Sequence, residues 1–262
     1  MNKDMLRKAE MFREDCLRHD IPRLAAEVLP DGVEVEADLE YMPGLKLDIY
    51  RREDTPETMD EAFILIHGGA FVYGAKENDK NFGMRLALRS GIPVVNIDYT
   101  LMPDANIERQ VADIDNAILF SAARLGLKSF HVTGDSAGGY LALLTAIRHE
   151  TAKSVSVICG FYELDMYEFP GYFFDSDDGL YYDLSKGFDK LRGKRMSVVT
   201  GEKDYLRKDN IALAGLLGGD CVFYDAGNCD GREMTHVYPI SHPEWPEGQK
   251  VIDIVARTAS GS

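Results

Sequence analysis

The sequence predicts an α/β fold in which a mostly parallel central sheet is covered by helices on both faces. Six short apolar segments have the character of buried strands, and helical patterns lie between most of them. Such alternation is typical of a parallel sheet, because each crossover helix covers one face of it. The 262 residues contain no internal repeat and no low-complexity linker, so we predict a single domain over residues 1–262.

The predicted elements begin with a helical N-terminal segment, residues 1–30, whose helix at 3–28 has apolar side chains along one face. Residues 33–40 and 45–51 alternate in strand fashion and predict an antiparallel hairpin. The strand candidates that follow are 62–67, 93–98, 128–133, 154–159, 195–200 and 220–225. The helical patterns between and after them are 79–90, 106–124, 136–149, 206–217 and 247–258.

Residues 161–190 depart from this alternation, since they are rich in aromatic and acidic side chains without a clear period. A fold of this class carries its site at the carboxyl ends of the strands, and a lid inserted over that edge would have such a composition. We therefore predict a lid rather than a surface excursion. The acidic run at 175–179 lacks the ligand spacing of a calcium loop and is expected to be a turn or a helix cap.

Charge and hydropathy exclude several classes of partner. The formal net charge of −15 argues against binding to nucleic acid or to an anionic membrane surface. No apolar run approaches the roughly 18 residues that would span a bilayer, and the first 20 residues are charged rather than signal-like. The four cysteines lack C-x-x-C spacing and paired histidines, which favours reduced thiols. We expect a cytoplasmic protein, and the sequence leaves open whether it forms a homo-oligomer.

The strongest functional signal is the run Gly-Asp-Ser-Ala-Gly-Gly at residues 134–139. It lies between a strand candidate and a helical pattern. A strand that turns into a helix at G-x-S-x-G forms a nucleophile elbow, which presents the serine hydroxyl at a helix N-terminus. Side chains at positions 134 and 138 would collide in so tight a turn. Ser136 is therefore the predicted nucleophile.

A second glycine-rich segment, His-Gly-Gly-Ala-Phe at residues 67–71, directly follows a strand candidate, and we name it the oxyanion loop. Its small residues leave backbone N–H groups free to point into a site. Donors of this kind contribute about 3–4 kcal/mol each to a transition state that carries an oxyanion. The candidate donors are Gly68, Gly69, Ala70 and Ala137, the last being the residue after the nucleophile.

The base that activates a serine should be a histidine, since the ordinary pKa of an imidazole near 6.5 suits proton transfer at neutral pH. Four of the six histidines are assigned elsewhere, two to the surface, one to the core and one to an orienting role in the oxyanion loop: His19, His149, His131 and His67. His236 and His242 both follow the last strand candidate. His236 lies in a loop that leads to the final helix and is the favoured base, whereas His242 precedes Pro243 and suits the start of a helix.

The acid is expected between nucleophile and base, because a fold with this elbow orders its triad Ser, Asp or Glu, His. Asp204 follows the strand candidate 195–200 and is the best candidate. Glu202 is a rival, and Asp165 comes one strand too early. An Asp at this position is also a common N-cap for a helix at 206–217, and we expect that one carboxylate does not easily fill both roles.

H-G-G-A-F followed by G-D-S-A-G-G resembles the hormone-sensitive-lipase-like branch of the α/β-hydrolases, which includes bacterial carboxylesterases and acetyl esterases. Residues 96–104 are similar to the D-Y-R-L-A-P-E segment of that branch, and the likeness runs from about residue 60 to the C-terminus. The resemblance implies an α/β-hydrolase fold and a triad of Ser136, Asp204 and His236. The sequence departs from the branch in three respects. Ala70 replaces a third glycine, and a D-P-L-x-D context is absent around Asp204. The interval from 136 to 204 is also short, which implies a small lid.

The resemblance implies hydrolysis of a small-molecule carboxylic ester through an acyl-enzyme, with no metal and no organic cofactor. A short acyl group is expected, because nothing in the sequence indicates the apolar surface that a long-chain lipase uses at an interface. An arylformamidase-like amidase or a small peptidase would use the same triad and stays a close alternative. A non-catalytic ligand-binding protein on a hydrolase scaffold is a more distant one.

Overall fold

A computed structural model describes residues 2–261 of the chain. Its strands are β1 (Val33–Met42), β2 (Leu45–Arg52), β3 (Glu61–Ile66), β4 (Val94–Ile97), β5 (Ser129–Asp135), β6 (Ala152–Ile158), β7 (Arg195–Gly201) and β8 (Cys221–Ala226). Its α-helices are α1 (Lys3–Ala26), α2 (Lys76–Ser90), α3 (Ile107–Leu125), α4 (Ala137–Arg148), α5 (Arg207–Leu217), α6 (Tyr238–Ser241) and α7 (Pro246–Ser260).

All eight strands form one sheet in the order β1-β2-β4-β3-β5-β6-β7-β8. β2 pairs antiparallel with both β1 and β4, and every other neighbouring pair is parallel. The predicted hairpin and the predicted mostly parallel sheet are therefore confirmed, and each of the six strand candidates matches a strand to within two residues. Because their directions agree, the carboxyl ends of β3, β5, β6, β7 and β8 meet at one edge, where parallel sheets carry their sites.

Helices cover both faces of the sheet, as the apolar strands predict. Along β3 the buried side chains alternate between two cores: Ala62, Ile64 and Ile66 face one, and Phe63 and Leu65 face the other. The first core is closed by apolar side chains of α1, α3 and α4, and the second by those of α2, α6 and α7. From Ala137 to Ile147 every residue of α4 is buried, so the helix that follows the nucleophile elbow is held rigidly in the interior.

Residues 161–190 contain three 3₁₀ helices, Gly171–Phe173, Gly179–Tyr181 and Leu184–Leu191. Their aromatic and aliphatic side chains, Phe173, Tyr181 and Leu184 among them, are buried in the same core as α4. Asp178 caps the second of these helices, since its Oδ1 accepts the N–H of Leu180 at 2.9 Å, in line with the expectation of a cap. The role of this segment as a lid stays a prediction.

Among residues 2–261, no helix combines the length and the apolar character needed to cross a bilayer.

Candidate active site

Ser136 occupies the turn between β5 and α4. Its backbone has φ 51° and ψ −119°, a conformation that residues other than glycine rarely adopt. It indicates backbone strain that the surrounding fold maintains. A Cβ at position 134 or 138 would collide with the carbonyl oxygen of Ile66, so the glycines are required as predicted. The sharp turn directs the Ser136 hydroxyl away from the sheet and into a cavity at its carboxyl edge.

His236 reaches this hydroxyl from the loop that follows β8. Its Nε2 lies 3.0 Å from Ser136 Oγ, and its Nδ1 lies 2.7 Å from Asp204 Oδ1. Because a carboxylate only accepts hydrogen bonds, Nδ1 carries the proton and Nε2 is left to accept the serine hydroxyl. The loop that carries His236 is joined to the loop that carries Asp204 by a backbone hydrogen bond from Lys203 N–H to Met234 O at 3.0 Å.

Asp204 follows β7 and accepts hydrogen bonds from three N–H or O–H groups. Oδ1 accepts the His236 Nδ1–H and also the backbone N–H of Leu206 at 3.0 Å, and Oδ2 accepts the Thr200 hydroxyl at 2.7 Å. Burial alone would raise the pKa of the Asp204 carboxyl, but the hydrogen bonds, that from His236 foremost, outweigh it and lower the pKa. Leu206 is itself the N-cap residue of α5, and that helix has no side-chain cap, so Asp204 does not take on the capping role that the sequence offered as an alternative.

The rival candidates lie elsewhere. Glu202 is exposed, and its Oε2 accepts the backbone N–H of Asn228 at 2.8 Å. Asp165 is exposed and accepts the N–H of Tyr167. His242 ends α6 rather than starting a helix, and its ring stacks on Trp245 with centroids 3.8 Å apart.

The remaining histidines largely follow expectation. His19 is exposed on α1, and His131 is fully buried between Ser154 and Glu61. His149 is half-buried rather than free at the surface, with Nε2 2.7 Å from an Asp115 carboxylate oxygen.

The oxyanion loop, residues 67–71, lies beside the elbow. Gly68 N–H donates to Asp135 Oδ1 at 2.9 Å, so this group is already engaged and the predicted oxyanion role of Gly68 does not fit the structure. The N–H groups of Gly69 and Ala70 have no acceptor among residues 2–261. Ala137 is the first residue of α4, a position whose N–H has no acceptor within the helix. Gly69, Ala70 and Ala137 thus stay the candidate donors.

His67 begins this loop and is completely buried. Its Nδ1 lies 2.7 Å from Gly68 O, and its ring stacks on Tyr99 with centroids 4.3 Å apart. The Tyr99 hydroxyl donates to the backbone carbonyl of His67 at 2.9 Å. Burial lowers the pKa of His67 to about 4, so the ring is neutral near pH 7 and Nδ1–H is the donor to Gly68 O. These contacts support the predicted orienting role.

The cavity at Ser136, which we name the Ser136 cavity, has a volume of about 250 Å³. Its outer wall is α1, an arrangement that the sequence did not reveal. The contributing side chains of α1 are Phe12, Asp15, Cys16, His19, Asp20 and Arg23. Residues 161–190 do not line it, but Phe169 packs against Phe12 with ring centroids 5.9 Å apart and so supports α1 from behind.

Polar contacts dock α1 on the segment that directly follows the oxyanion loop and on Met102. Arg13 donates from Nε to Val72 O and from a terminal nitrogen to Met102 O, each at 2.7 Å. Asp20 accepts the Tyr73 hydroxyl at 3.0 Å and the Asn78 side-chain amide at 2.8 Å. Each contact joins α1 to residues more than 50 positions away.

A thiol lies behind the acid. Ligating atoms of Cys159, Asp204 and His236 lie within 4.8 Å of one another, a spacing that a metal ion could also use. Burial, and after it the Asp204 carboxylate, raises the pKa of the Cys159 thiol, so the sulfur stays protonated and donates to Asp204. Asp204 and His236 are meanwhile bonded to each other, and the arrangement serves a proton relay better than a metal site.

Comparison with known proteins places this geometry in a family. The BD-FAE family model matches residues 47–178, which include β2 to β6, the oxyanion loop and the elbow. The chain belongs to the BD-FAE family. Two curated relatives of this BD-FAE protein are Esterase LipC of Mycobacterium tuberculosis, 30% identical over 40% of the chain, and Ethyl acetate hydrolase of Pseudomonas putida, 31% identical over 39% of it. The alignments span only 27% and 34% of those two proteins.

Solved structures resemble the BD-FAE protein over nearly its whole length. Esterase B from Lactobacillus rhamnosis superposes with a TM-score of 0.85 at 24% identity, covering 99% of this chain and 96% of that one. A fungal esterase from Rhizomucor miehei superposes with a TM-score of 0.74 at 22% identity, covering 96% and 90%. Together these matches confirm the predicted α/β-hydrolase fold and the resemblance to the carboxylesterases of that fold.

Proposed function

We propose that the protein is a serine hydrolase that cleaves short-chain carboxylic esters, with Ser136 as nucleophile, His236 as general base and acid, and Asp204 as the orienting acid. The observation that carries this proposal is the hydrogen-bond chain from Ser136 Oγ through His236 to Asp204, with links of 3.0 and 2.7 Å. The names of its relatives, an esterase and an ethyl acetate hydrolase, point to the same chemistry.

In this mechanism His236 Nε2 takes the proton of Ser136 as Oγ attacks the ester carbonyl carbon. The carbonyl oxygen gains negative charge, which the N–H groups of Gly69, Ala70 and Ala137 stabilise. The protonated imidazole then gives its proton to the leaving alcohol. A water attacks the acyl-enzyme by the same steps and releases the carboxylic acid.

The dimensions of the Ser136 cavity support a small substrate. A volume of about 250 Å³ lies below the roughly 300–1,000 Å³ of pockets that enclose drug-sized ligands. The cavity is walled by α1, which is held in place by a hydrogen bond from Arg13 to the carbonyl of Val72, the residue after the oxyanion loop. Acetyl and butyryl groups therefore suit the site better than long acyl chains.

The test is turnover of a nitrophenyl ester series from acetyl to decanoyl, with Ser136→Ala beside the wild type. We expect the highest kcat/KM for acetyl or butyryl esters and a loss of about 10⁶-fold in kcat in Ser136→Ala. A fluorophosphonate should phosphonylate Ser136 with release of fluoride, which adds the mass of the phosphonyl group to the wild type and not to Ser136→Ala. Turnover that persists in Ser136→Ala, or faster cleavage of the decanoyl ester, would contradict the proposal or its substrate range.

An aryl formamide and a chromogenic dipeptide complete the panel, because the same triad serves amidases and peptidases. Esters should be cleaved faster than either. If the formamide or the peptide were cleaved faster, the triad would stay part of the proposal, but the substrate would be an amide or a peptide instead of an ester.

A further inference from the structure

Two buried carboxyl groups meet next to the oxyanion loop. Asp79 lies near the start of α2 and is 1% exposed, and Asp135 ends β5 directly before Ser136 and is 4% exposed. Both line the Ser136 cavity, and the two side chains lie against each other. We name Asp79 and Asp135 the acid pair. The triad mechanism does not use it.

The hydrogen bonds of the acid pair balance only if it holds a proton. Asp135 Oδ1 accepts Gly68 N–H at 2.9 Å. Asp79 Oδ2 is buried and meets no hydrogen-bond donor among residues 2–261, while its neighbour, ionised Asp135, can only accept. Two ionised carboxylates in contact within the interior would repel each other without screening, whereas one added proton turns the repulsion into a hydrogen bond.

Placing the proton on Asp79 leaves Asp135 as the carboxylate, which is the stronger acceptor for Gly68 N–H. Gly68 in turn is the residue before Gly69 and Ala70, the candidate oxyanion donors. A force that holds Gly68 therefore fixes where those two N–H groups point. The second anchor of the loop is the neutral His67 ring, whose Nδ1 lies 2.7 Å from Gly68 O.

We propose that the acid pair shares a single proton and that Asp79 is thereby a positioning residue for the oxyanion loop. The kinetic consequences of this inference rest on the proposed function of Ser136. The shared proton itself is independent of that function.

Other charged groups face the acid pair. Asp20 and Arg23 approach Asp79 from α1, His236 approaches Asp135 from the loop after β8, and the Tyr99 hydroxyl lies near both. Burial, reinforced for Asp79 by the charge of Asp135, raises the pKa of both carboxyl groups, which is the direction that favours a retained proton. As the pH rises and this proton leaves, the pair becomes two adjacent anions, and kcat should decline on the alkaline side.

Two substitutions separate a hydrogen-bond donor from a mere space-filler. Asp79→Asn keeps an N–H that can donate to Asp135, and Asp79→Leu has similar size without a donor. We expect Asp79→Asn to keep a kcat close to wild type and to lose the alkaline decline. Asp79→Leu should lower kcat by about 100-fold or more, the size of a lost oxyanion donor, with little change in KM. Asp209→Asn, an exposed aspartate in the first turn of α5, is the matched control and should behave as wild type.

Infrared spectroscopy tests the proton without relying on catalysis. Difference spectra should show the C=O stretch of a buried protonated carboxylic acid in the wild type and in Ser136→Ala, and no such band in Asp79→Asn. A missing band in the folded wild type would overturn the shared proton. Wild-type kcat in Asp79→Leu, or equal inactivity of folded Asp79→Asn and Asp79→Leu, would overturn the positioning role. A band in a wild-type protein that cleaves no ester would leave the acid pair standing and refute the proposed function instead.

Discussion

Asp204 holds His236 through an oxygen that also caps a turn of the backbone. Oδ1 of Asp204 accepts His236 Nδ1–H at 2.7 Å and Leu206 N–H at 3.0 Å. The hydrogen bond from the Leu206 backbone fixes the direction of the carboxylate independently of His236, so the acid is preorganised for its role. The single-carboxylate arrangement ties the orientation of the imidazole to the start of α5.

Asp204→Asn should keep the fold and lose catalysis. An amide in place of the carboxylate favours the wrong imidazole tautomer, and the loss in kcat is expected to be about 10⁴-fold. The measurement is kcat for nitrophenyl acetate, with circular dichroism to verify folding. Glu202→Gln is the control, because Glu202 is exposed and bonded to Asn228 rather than to His236, and its kcat should match wild type. A large loss in Glu202→Gln with activity retained in Asp204→Asn would reverse the two assignments.

Local sequence was enough to predict the elbow and the two residues, Asp204 and His236, that the structure joins to Ser136 by hydrogen bonds. Gly134 and Gly138 identify the turn because no other residue fits against Ile66 O, and Asp204 and His236 follow predicted strands at the correct edge. Strand periodicity and chain order carry that information directly.

Contacts that are distant along the chain could not be predicted in this way. The two acceptors of Arg13 lie 59 and 89 residues away, and nothing in the period of α1 indicates which surface it covers. Asp79 sits in a polar run that predicts an exposed helix face, and only the folded structure brings it against Asp135. The engaged N–H of Gly68 was missed for the same reason, since its acceptor is 67 residues away.

Gly69→Ala should disrupt the oxyanion loop. Gly69 has φ +106°, and a Cβ there would collide with the carbonyl oxygen of Tyr73, so the loop must shift and its N–H donors move away from the substrate. We expect kcat to fall by about 100- to 1,000-fold. Gly44→Ala is the matched control. Its φ is +78° in the hairpin turn and a Cβ would meet nothing within 4 Å, so it should cost about 1–2 kcal/mol of stability and leave kcat unchanged. Equal effects of the two substitutions on kcat would show that backbone strain alone is being measured.

Arg13→Ala should loosen α1 from Val72 and Met102, which it contacts beside the Ser136 cavity. The substitution removes two charged hydrogen bonds to backbone carbonyls, of a kind that contributes about 1.5–3 kcal/mol each when not exposed. Because α1 walls the Ser136 cavity, KM for short esters should rise while kcat changes less. Arg18→Ala removes an exposed arginine from the same helix, which forms an ion pair with Asp15, and should leave KM unchanged. Steady-state kinetics on nitrophenyl butyrate distinguish the two, and an unchanged KM in Arg13→Ala would remove α1 from substrate binding.

Stability should depend on pH through His67. Because burial lowers the pKa of His67 to about 4, below the ordinary value of 6.5, the unfolded chain binds a proton in this interval that the folded chain does not. The contribution of His67 to the free energy of unfolding is therefore complete above pH 6.5 and is lost as the pH falls towards 4. At about 1.4 kcal/mol for each pH unit, the loss reaches about 3 kcal/mol.

The measurement is urea unfolding of the wild type and of His67→Asn, whose side-chain amide can still donate to Gly68 O, at intervals from pH 7.5 to pH 4. Subtracting the two curves is necessary, because His131 also has a pKa lowered by burial and acts in the same direction, whereas the raised pKa values of Asp79 and Asp135 act in the opposite one. The stability advantage of the wild type over His67→Asn should shrink by about 3 kcal/mol between pH 7 and pH 4. A difference that stays constant with pH would mean that His67 is not held neutral in the folded protein, and its role as a fixed anchor of the oxyanion loop would fall with it.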